Sequence, residues 1–220
     1  RPNAKELNFW TKDEYEQFIQ GFSSDEEMYR IIFQILFWLG CRVGELLALT
    51  SEDIDFENGT VNISKTYYRR NQTDYITPPK TESSNRQITI PKFLAEEMKD
   101  FVDRQYGLTP EDRIFPITDR AIQKKMKQKT EQAKLKPIRV HDLRHSHIAL
   151  LIEKGMQPLV IAQWVGHDSV NTTMNIYGHL YPNKQKQVAD LLNAEATGEP
   201  ESNLVDMATE MRFRKAGGWS

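Results

Sequence analysis

The chain has 220 residues, 39% of them hydrophobic and 27% charged, with a formal net charge of -2. That composition can build a packed core in one large domain or two small ones. It holds no apolar run of the ~18 to 20 residues that a membrane-spanning helix needs, because the longest run, "IIFQILFWLG", has the length of a buried helix. The near-neutral balance lacks the overall basic footprint of many nucleic-acid binders. Charge is uneven, however: the stretch "RAIQKKMKQKTEQAKLKPIR" is strongly basic, with Glu131 as its acid, which allows a local basic face on a neutral molecule. The single cysteine, Cys41, cannot form an internal disulfide, which points to a reducing cytoplasmic setting. No signal-peptide pattern opens the chain. It begins at Arg1 without a methionine, as expected of a fragment.

In chain order, "FWTKDEYEQFI" opens a helix, with Thr11 as N-cap and Glu14 three residues on as its capping-box partner. "SSDEEMYRIIFQILFWLG" reads as a second helix, apolar nearly all round in its second half and stopped by Gly40. "RVGELLALTSEDIDFENG" gives a short helix and a turn at Asn58-Gly59. From Thr60 to Pro91, "TVNIS" and "RQITI" alternate between punctuating Pro, Asn and Ser, so a small antiparallel sheet is expected, with "PKTESSN" at the turn between two of its strands. Helices follow near 92–105, 119–133, 141–154, 158–165, 170–177 and 182–195. Gly155 and Gly166 act as stops and Pro158 sits in a first turn. The fold class is mainly α with a small antiparallel sheet (α+β). Residues 1–195 form the expected domain, and 196–220, polar and broken by Gly198 and Pro200, a tail that is flexible or docks elsewhere.

Four stretches hold candidate chemistry, and each has a plain structural reading beside it. In "HDLRHSHIALLIEKG", His141 and Arg144 are three apart and share a helix face; a solvated helix start would look the same. In "LGCRVGELLAL", Arg42 stands between two apolar helices. Its charge is answered either internally, by Glu45 one turn on, or externally, by a phosphate at a helix N-terminus. In "PPKTESSNRQITIP", Lys80 is either a solvent-facing edge lysine or a flexible ammonium reaching into a groove. In "VGHDSVNTTMNIYGH", Gly166-His167 ends one helix and Tyr177 lies near the end of the next, with His179 and Tyr181 close behind. Such a tyrosine can simply cap a core with its ring.

Taken together, the order Arg, Lys, His-x-x-Arg, Gly-His, Tyr, carried by these four lines between Gly40 and His179, resembles the catalytic domain of tyrosine recombinases, the phage-integrase family. In style it is similar to integrases of temperate phages and of conjugative transposons. Cys41 and the pair Val43-Gly44 depart from the family's usual residues there; the family's upstream core-binding domain has no counterpart in the sequence.

The resemblance implies a site-specific DNA recombinase that cleaves and rejoins strands through a 3′-phosphotyrosine, without metal, cofactor or ATP. Its partner would be double-stranded DNA bearing specific recombination sites. It would act as a homo-tetramer on that DNA and as a monomer or weak oligomer without it, in a bacterial cytoplasm and away from membranes. Tyr177 would be the nucleophile. A free phenol has a pKa of ~10, so it must lose its proton as it attacks, with His141 as general base. Arg42 and Arg144 would hold the non-bridging oxygens, whose geometry suits guanidinium forks. His167 would add a hydrogen bond, Lys80 would protonate the leaving 5′-oxygen, and Glu45 would orient Arg42. The sequence has no compact Asp/Glu cluster of the two-metal kind. The Thr and Asn residues before Tyr177 suit an element that shifts rather than one locked in a core, and Tyr181 is the rival nucleophile. The tail could reach a neighbouring subunit, as in other members of the family.

Three other readings stand beside this one. A type IB topoisomerase would use a similar residue set to nick and reseal a single duplex. A non-catalytic DNA-binding module would keep the fold without the reaction. A plain helical scaffold would leave Arg42, His141, Arg144, His167 and Tyr177 scattered in space.

Overall fold

The computed structural model describes residues 7–79, 81–181 and 185–197. The chain divides into two compact units, the first ending at Leu180 and the second starting at Tyr181. In the first unit the N-terminal helices are α1 (Lys12–Ile19), α2 (Glu27–Trp38) and α3 (Val43–Leu47). Thr11 caps α1 through the expected reciprocal box, its side chain accepting from the Glu14 N–H while the Glu14 carboxylate accepts from the Thr11 N–H. α2 is the central rod. Ile31, Ile32, Phe33, Ile35, Leu36 and Phe37 are all buried, each side chain contributing about 1.5–3 kcal/mol by removal from water. Phe37 stacks on Tyr15 of α1 at 3.6 Å between centroids.

Two small sheets follow. Strands β1 (Ile54–Asp55), β2 (Thr60–Ile63) and β5 (Arg86–Thr89) form an antiparallel sheet in the order β1-β2-β5. Val61, Ile63 and Ile88 are buried while the residues between them face outward, which is the alternation the sequence shows. Strands β3 (Thr66–Arg70) and β4 (Thr73–Thr77) form a separate hairpin. Its two-residue turn, Asn71-Gln72, has positive φ at both positions, as a turn matched to the strands' twist requires. The hairpin corrects the expectation for "PKTESSN". This segment does not turn between two strands of one sheet; it crosses from the hairpin to the edge of the three-stranded sheet, through a 3-10 turn at Glu82–Ser84. The sequence "TYYRRNQTDYIT" has too many exposed polar and aromatic positions to alternate cleanly, so its strands leave little periodic signal.

The rest of the unit is helical: α4 (Lys92–Asp103), α5 (Asp119–Gln132), α6 (Asp142–Glu153), α7 (Pro158–Val165) and α8 (Val170–Tyr177). Pro158 is the first residue of α7, and Gly166 closes that helix at φ +70°. The second unit contains α9 (Gln185–Thr197). No described helix is long and apolar enough to cross a membrane.

Candidate active site

The site begins where α2 hands over to α3. Gly40 takes a φ of +63°, a left-handed turn that sets Arg42 at the N-cap of α3. The Arg42 N–H donates to Oε2 of Glu45 at 2.8 Å, and its Nη1 donates to Oε1 of the same carboxylate at 2.8 Å. Nη2 reaches the Gly166 carbonyl at 3.4 Å. The side chain is still 41% exposed, so Glu45 aims the fork without enclosing it. The two answers weighed for the Arg42 charge are therefore compatible: an internal carboxylate holds one edge and the rest stays open.

Arg144, one turn into α6, donates from Nη1 to the Gly40 carbonyl at 2.8 Å. Its Nη2 is buried and meets no acceptor among the described residues, although the side chain is almost wholly enclosed. Burial, and then the charge of Arg42, push its pKa down to about 10. It remains cationic at neutral pH with one donor unused, a costly arrangement unless an anion meets it.

His167 follows the Gly166 turn, and its Nδ1 hydrogen-bonds the buried Thr173 hydroxyl at 2.8 Å. Burial first, then the charges of Arg144 and Arg42, bring its pKa down to about 4. The ring is neutral at pH 7, so one of its nitrogens carries a proton and the other accepts. His141 stands at the N-cap of α6 rather than inside the helix. Its pKa is also below the ordinary histidine value, through desolvation and then the Arg144 charge.

Tyr177 ends α8 and is only 1% exposed. The Thr and Asn residues before it suit an element that shifts, yet the ring itself packs inward while its hydroxyl hydrogen-bonds Nδ1 of His145. Burial raises the phenol pKa and the nearby Arg144 charge opposes that rise. His145 is a residue that sequence reasoning passed over. It lies one turn after His141 and meets that ring edge-on at 5.2 Å. Burial, then the His141 charge, lower its pKa to about 4, so the ring is neutral at pH 7. Its only sequence signal was a second histidine inside "HDLRHSH", which does not tell which ring faces the tyrosine.

A second omission is Arg86, buried at the start of β5. Its guanidinium donates to Glu45 at 2.9 and 3.3 Å, to the Trp164 carbonyl at 2.8 Å and to the Ser84 carbonyl at 3.0 Å. Every nitrogen is engaged, so this arginine is a clamp between α3, β5 and the end of α7, not a ligand for substrate. Gly166 has to be glycine beside it: a Cβ there would lie 2.9 Å from Arg86 Nη1 and 3.1 Å from the Ser83 carbonyl.

Lys80 lies outside the described residues. Its sequence neighbours Pro79 and Thr81 line a cavity of about 330 Å³ together with Arg42, Lys65, Ser84 and Asp168. Lys65, on that wall, is occupied by Asp53 at 2.7 Å and Thr50 at 3.2 Å. The basic run on α5 is less basic on its surface than in the sequence. Lys125 and Lys129 turn inward to Glu26, while Arg120 and Lys124 stay exposed. No cluster of three or more His, Cys, Asp or Glu side chains suited to a metal ion occurs among the described residues.

The structure thus brings Arg42, Glu45, His141, Arg144, His167 and Tyr177 into one linked neighbourhood. It does so through Gly40, Gly166 and His145, as the scattered-scaffold reading would not. Tyr181 opens the second unit. The family model for the phage integrase family matches residues 8–184. The chain belongs to the phage integrase family. Among curated members, this integrase-family chain is 36% identical over 202 residues to the ICEBs1 integrase of Bacillus subtilis (strain 168), covering 86% of the chain and 55% of that relative. It is 29% identical over 170 residues to the integrase of Staphylococcus phage L54a, covering 70% of the chain and 48% of that relative. It therefore spans about half the length of the curated relatives it matches. Among solved structures, its fold matches the Tn1549 transposon integrase in complex with a circular intermediate DNA, with a TM-score of 0.74 at 20% identity over 89% of this chain and 67% of that one. It also matches the catalytic domain of bacteriophage HP1 integrase, with a TM-score of 0.56 at 18% identity, over 90% of this chain and 98% of that one.

Proposed function

We propose that this chain is the catalytic part of a site-specific DNA recombinase. Tyr177 attacks the scissile phosphate, forming a phenolic O–P bond as the bond to the 5′-oxygen breaks, and leaves a 3′-phosphotyrosine and a free 5′-hydroxyl. The phenol proton passes to a neutral histidine; His141 keeps the role of base, with His145 holding the hydroxyl beside it. Arg42, Arg144 and a proton on His167 Nε2 stabilise the charge that grows on the non-bridging oxygens, and removing one such preorganised donor typically costs ~3 to 4 kcal/mol of barrier. Lys80 gives a proton to the departing 5′-oxygen. Attack by another strand's 5′-hydroxyl reverses the chemistry on a new partner, so the phosphodiester energy is kept. The observation that carries this reading is the buried Arg144, which retains an unspent donor next to the partly open fork of Arg42.

In this reading the partner is double-stranded DNA with specific sites, recombination proceeds in a homo-tetramer in the bacterial cytoplasm, and the tail after residue 195 docks on a neighbouring subunit. The test uses nicked suicide duplexes of randomised sequence, in which the short 5′-hydroxyl fragment diffuses away after cleavage. Denaturant-resistant adducts should form, map to Tyr177, disappear in Tyr177→Phe and persist in Tyr181→Phe. An adduct that survives Tyr177→Phe and vanishes in Tyr181→Phe overturns the nucleophile. Relaxation of supercoiled circles with no site preference would make the reaction that of a topoisomerase.

A further inference from the structure

A nucleophile enclosed by the fold needs a route by which to lose its proton. Tyr177 is 1% exposed, so solvent does not reach its hydroxyl directly. The hydroxyl is hydrogen-bonded to Nδ1 of His145 instead. Nε2 of the same ring stands 3.9 Å from Oδ1 of Asp142. The Asp142 side chain is buried and held by Arg139, whose N–H donates to Oδ2 at 2.8 Å while Nε and Nη2 donate to Oδ1 at 3.2 and 2.8 Å. Burial works against ionisation of this carboxyl, but the Arg139 hydrogen bonds outweigh it and keep the pKa below the ordinary value. Phenol, imidazole and carboxylate thus stand in line, the first from α8 and the other two from α6. His145 is also the ring with access to water. Its side chain is 15% exposed, and it lines a cavity of about 550 Å³ with Asn8, Pro137, Arg139 and Asp142.

We infer that His145 is the ring that takes the Tyr177 proton and that Asp142 positions it for that step. The inference rests on Tyr177 as the nucleophile and deepens that reading at one point. It puts His145, which touches the phenol, ahead of His141, which meets His145 edge-on at 5.2 Å. An ionised carboxylate facing Nε2 favours the tautomer that keeps a proton there and leaves Nδ1 to accept. It also stabilises the imidazolium that forms. The charges around the ring are divided: His141, Arg139 and Arg144 oppose protonation of His145, and Asp142 favours it. The resting ring is therefore a weak base and leaves the phenol protonated until attack begins. As the phenolic oxygen bonds to phosphorus its proton becomes strongly acidic, and a weak base then suffices. The O–H bond gives its proton to Nδ1, the phenolic oxygen forms the O–P bond, and the 5′-oxygen departs with the electron pair of the bond that breaks. Protonation of that 5′-oxygen is the separate acid step. On rejoining, the imidazolium returns its proton to the phenolic oxygen.

The experiment follows single-turnover adduct formation on the suicide duplex recovered above, with either tyrosine or a ring-difluorinated tyrosine at position 177. Fluorine makes the phenol more acidic and so replaces part of what a base does. His145→Gln keeps a hydrogen-bonding amide beside the hydroxyl and removes the base. With tyrosine it should form the adduct roughly 10²- to 10⁴-fold more slowly than the parent, the factor that general acid–base catalysis supplies. With difluorotyrosine most of that loss should disappear. Asp142→Asn, which keeps the shape and loses the charge, should lose a smaller part of the rate and regain it in the same way. His141→Gln serves as the comparison. Rescue of His145→Gln, with or without rescue of His141→Gln, supports the inference. Rescue of His141→Gln alone, rescue of neither, or a His145→Gln variant as fast as the parent overturns it. If Asp142→Asn keeps the parent rate, or is equally slow with both phenols, the role of Asp142 alone falls. A parent adduct that is absent or maps away from Tyr177 overturns the nucleophile, and the inference with it. A merely structural part for either residue would lower the melting temperature and leave the ratio between the two phenols unchanged.

Discussion

Replacing Glu45 with leucine separates stability from chemistry in this site. Glu45 and Arg86 are 5% and 6% exposed, and their closest approach is 2.9 Å. Taking away one partner of a buried ion pair leaves an uncompensated charge and typically costs about 3–5 kcal/mol, against a total stability of about 5–15 kcal/mol. At roughly 2–4 °C per kcal/mol for a domain of this size, Glu45→Leu should melt about 6–20 °C below the parent. Arg42 also binds Glu45 but is 41% exposed, so Arg42→Ala should lie within about 1 kcal/mol of the parent while losing DNA cleavage. The double variant Glu45→Leu/Arg86→Met leaves no buried charge at the pair and should recover most of the lost stability. Thermal unfolding followed by circular dichroism provides the midpoints. Equal melting of Glu45→Leu and Arg42→Ala, or a double variant no more stable than Glu45→Leu, would refute the claim that the Glu45–Arg86 pair is buried and interdependent.

Two further outcomes follow from buried histidines. His147 is almost wholly enclosed; burial, then the Arg144 charge, lowers its pKa to about 3, and a backbone hydrogen bond at Phe37 opposes that fall. The unfolded chain binds a proton near pH 6.5 that the folded chain refuses, so this contribution is complete above about pH 6.5 and is lost as pH falls toward 3, by up to about 5 kcal/mol. His145 and His167 are shifted the same way, so His147→Leu should flatten the acid limb of a urea-midpoint against pH plot without abolishing it. An unchanged slope would be the contrary result. His145→Phe removes the hydrogen-bond partner of the buried Tyr177 hydroxyl and should cost about 1–3 kcal/mol. Tyr177→Phe in that background should return part of the loss, as denaturation of the two variants will show.

The local parts of this molecule were legible because their causes are local. Thr11 and Glu14 announce a capping box, and Pro158 and Gly166 mark the two ends of α7. The alternation in "TVNIS" and "RQITI" gives two strands that do pair with each other. Arg42, His141, Arg144, His167 and Tyr177 could be singled out from residue type and order, and the pairing of Arg42 with Glu45 follows from a three-residue spacing on one helix.

What the sequence could not rank were interactions between residues far apart along the chain. It held three histidines in "HDLRHSH", and only the packing of α8 against the remainder decides that His145 meets Tyr177. It held Arg86 in an ordinary strand, and only the meeting of α3, β5 and α7 makes that side chain the clamp on Glu45. The basic run on α5 kept its charge in the sequence, yet the helix turns Lys125 and Lys129 toward Glu26. The hairpin was hidden because strand pairing depends on a partner more than on intrinsic preference. Helix propensity and caps act within a few residues, so sequence fixes them. The field at a side chain is set by whatever the fold places within several ångströms, and that is settled only when the chain closes on itself.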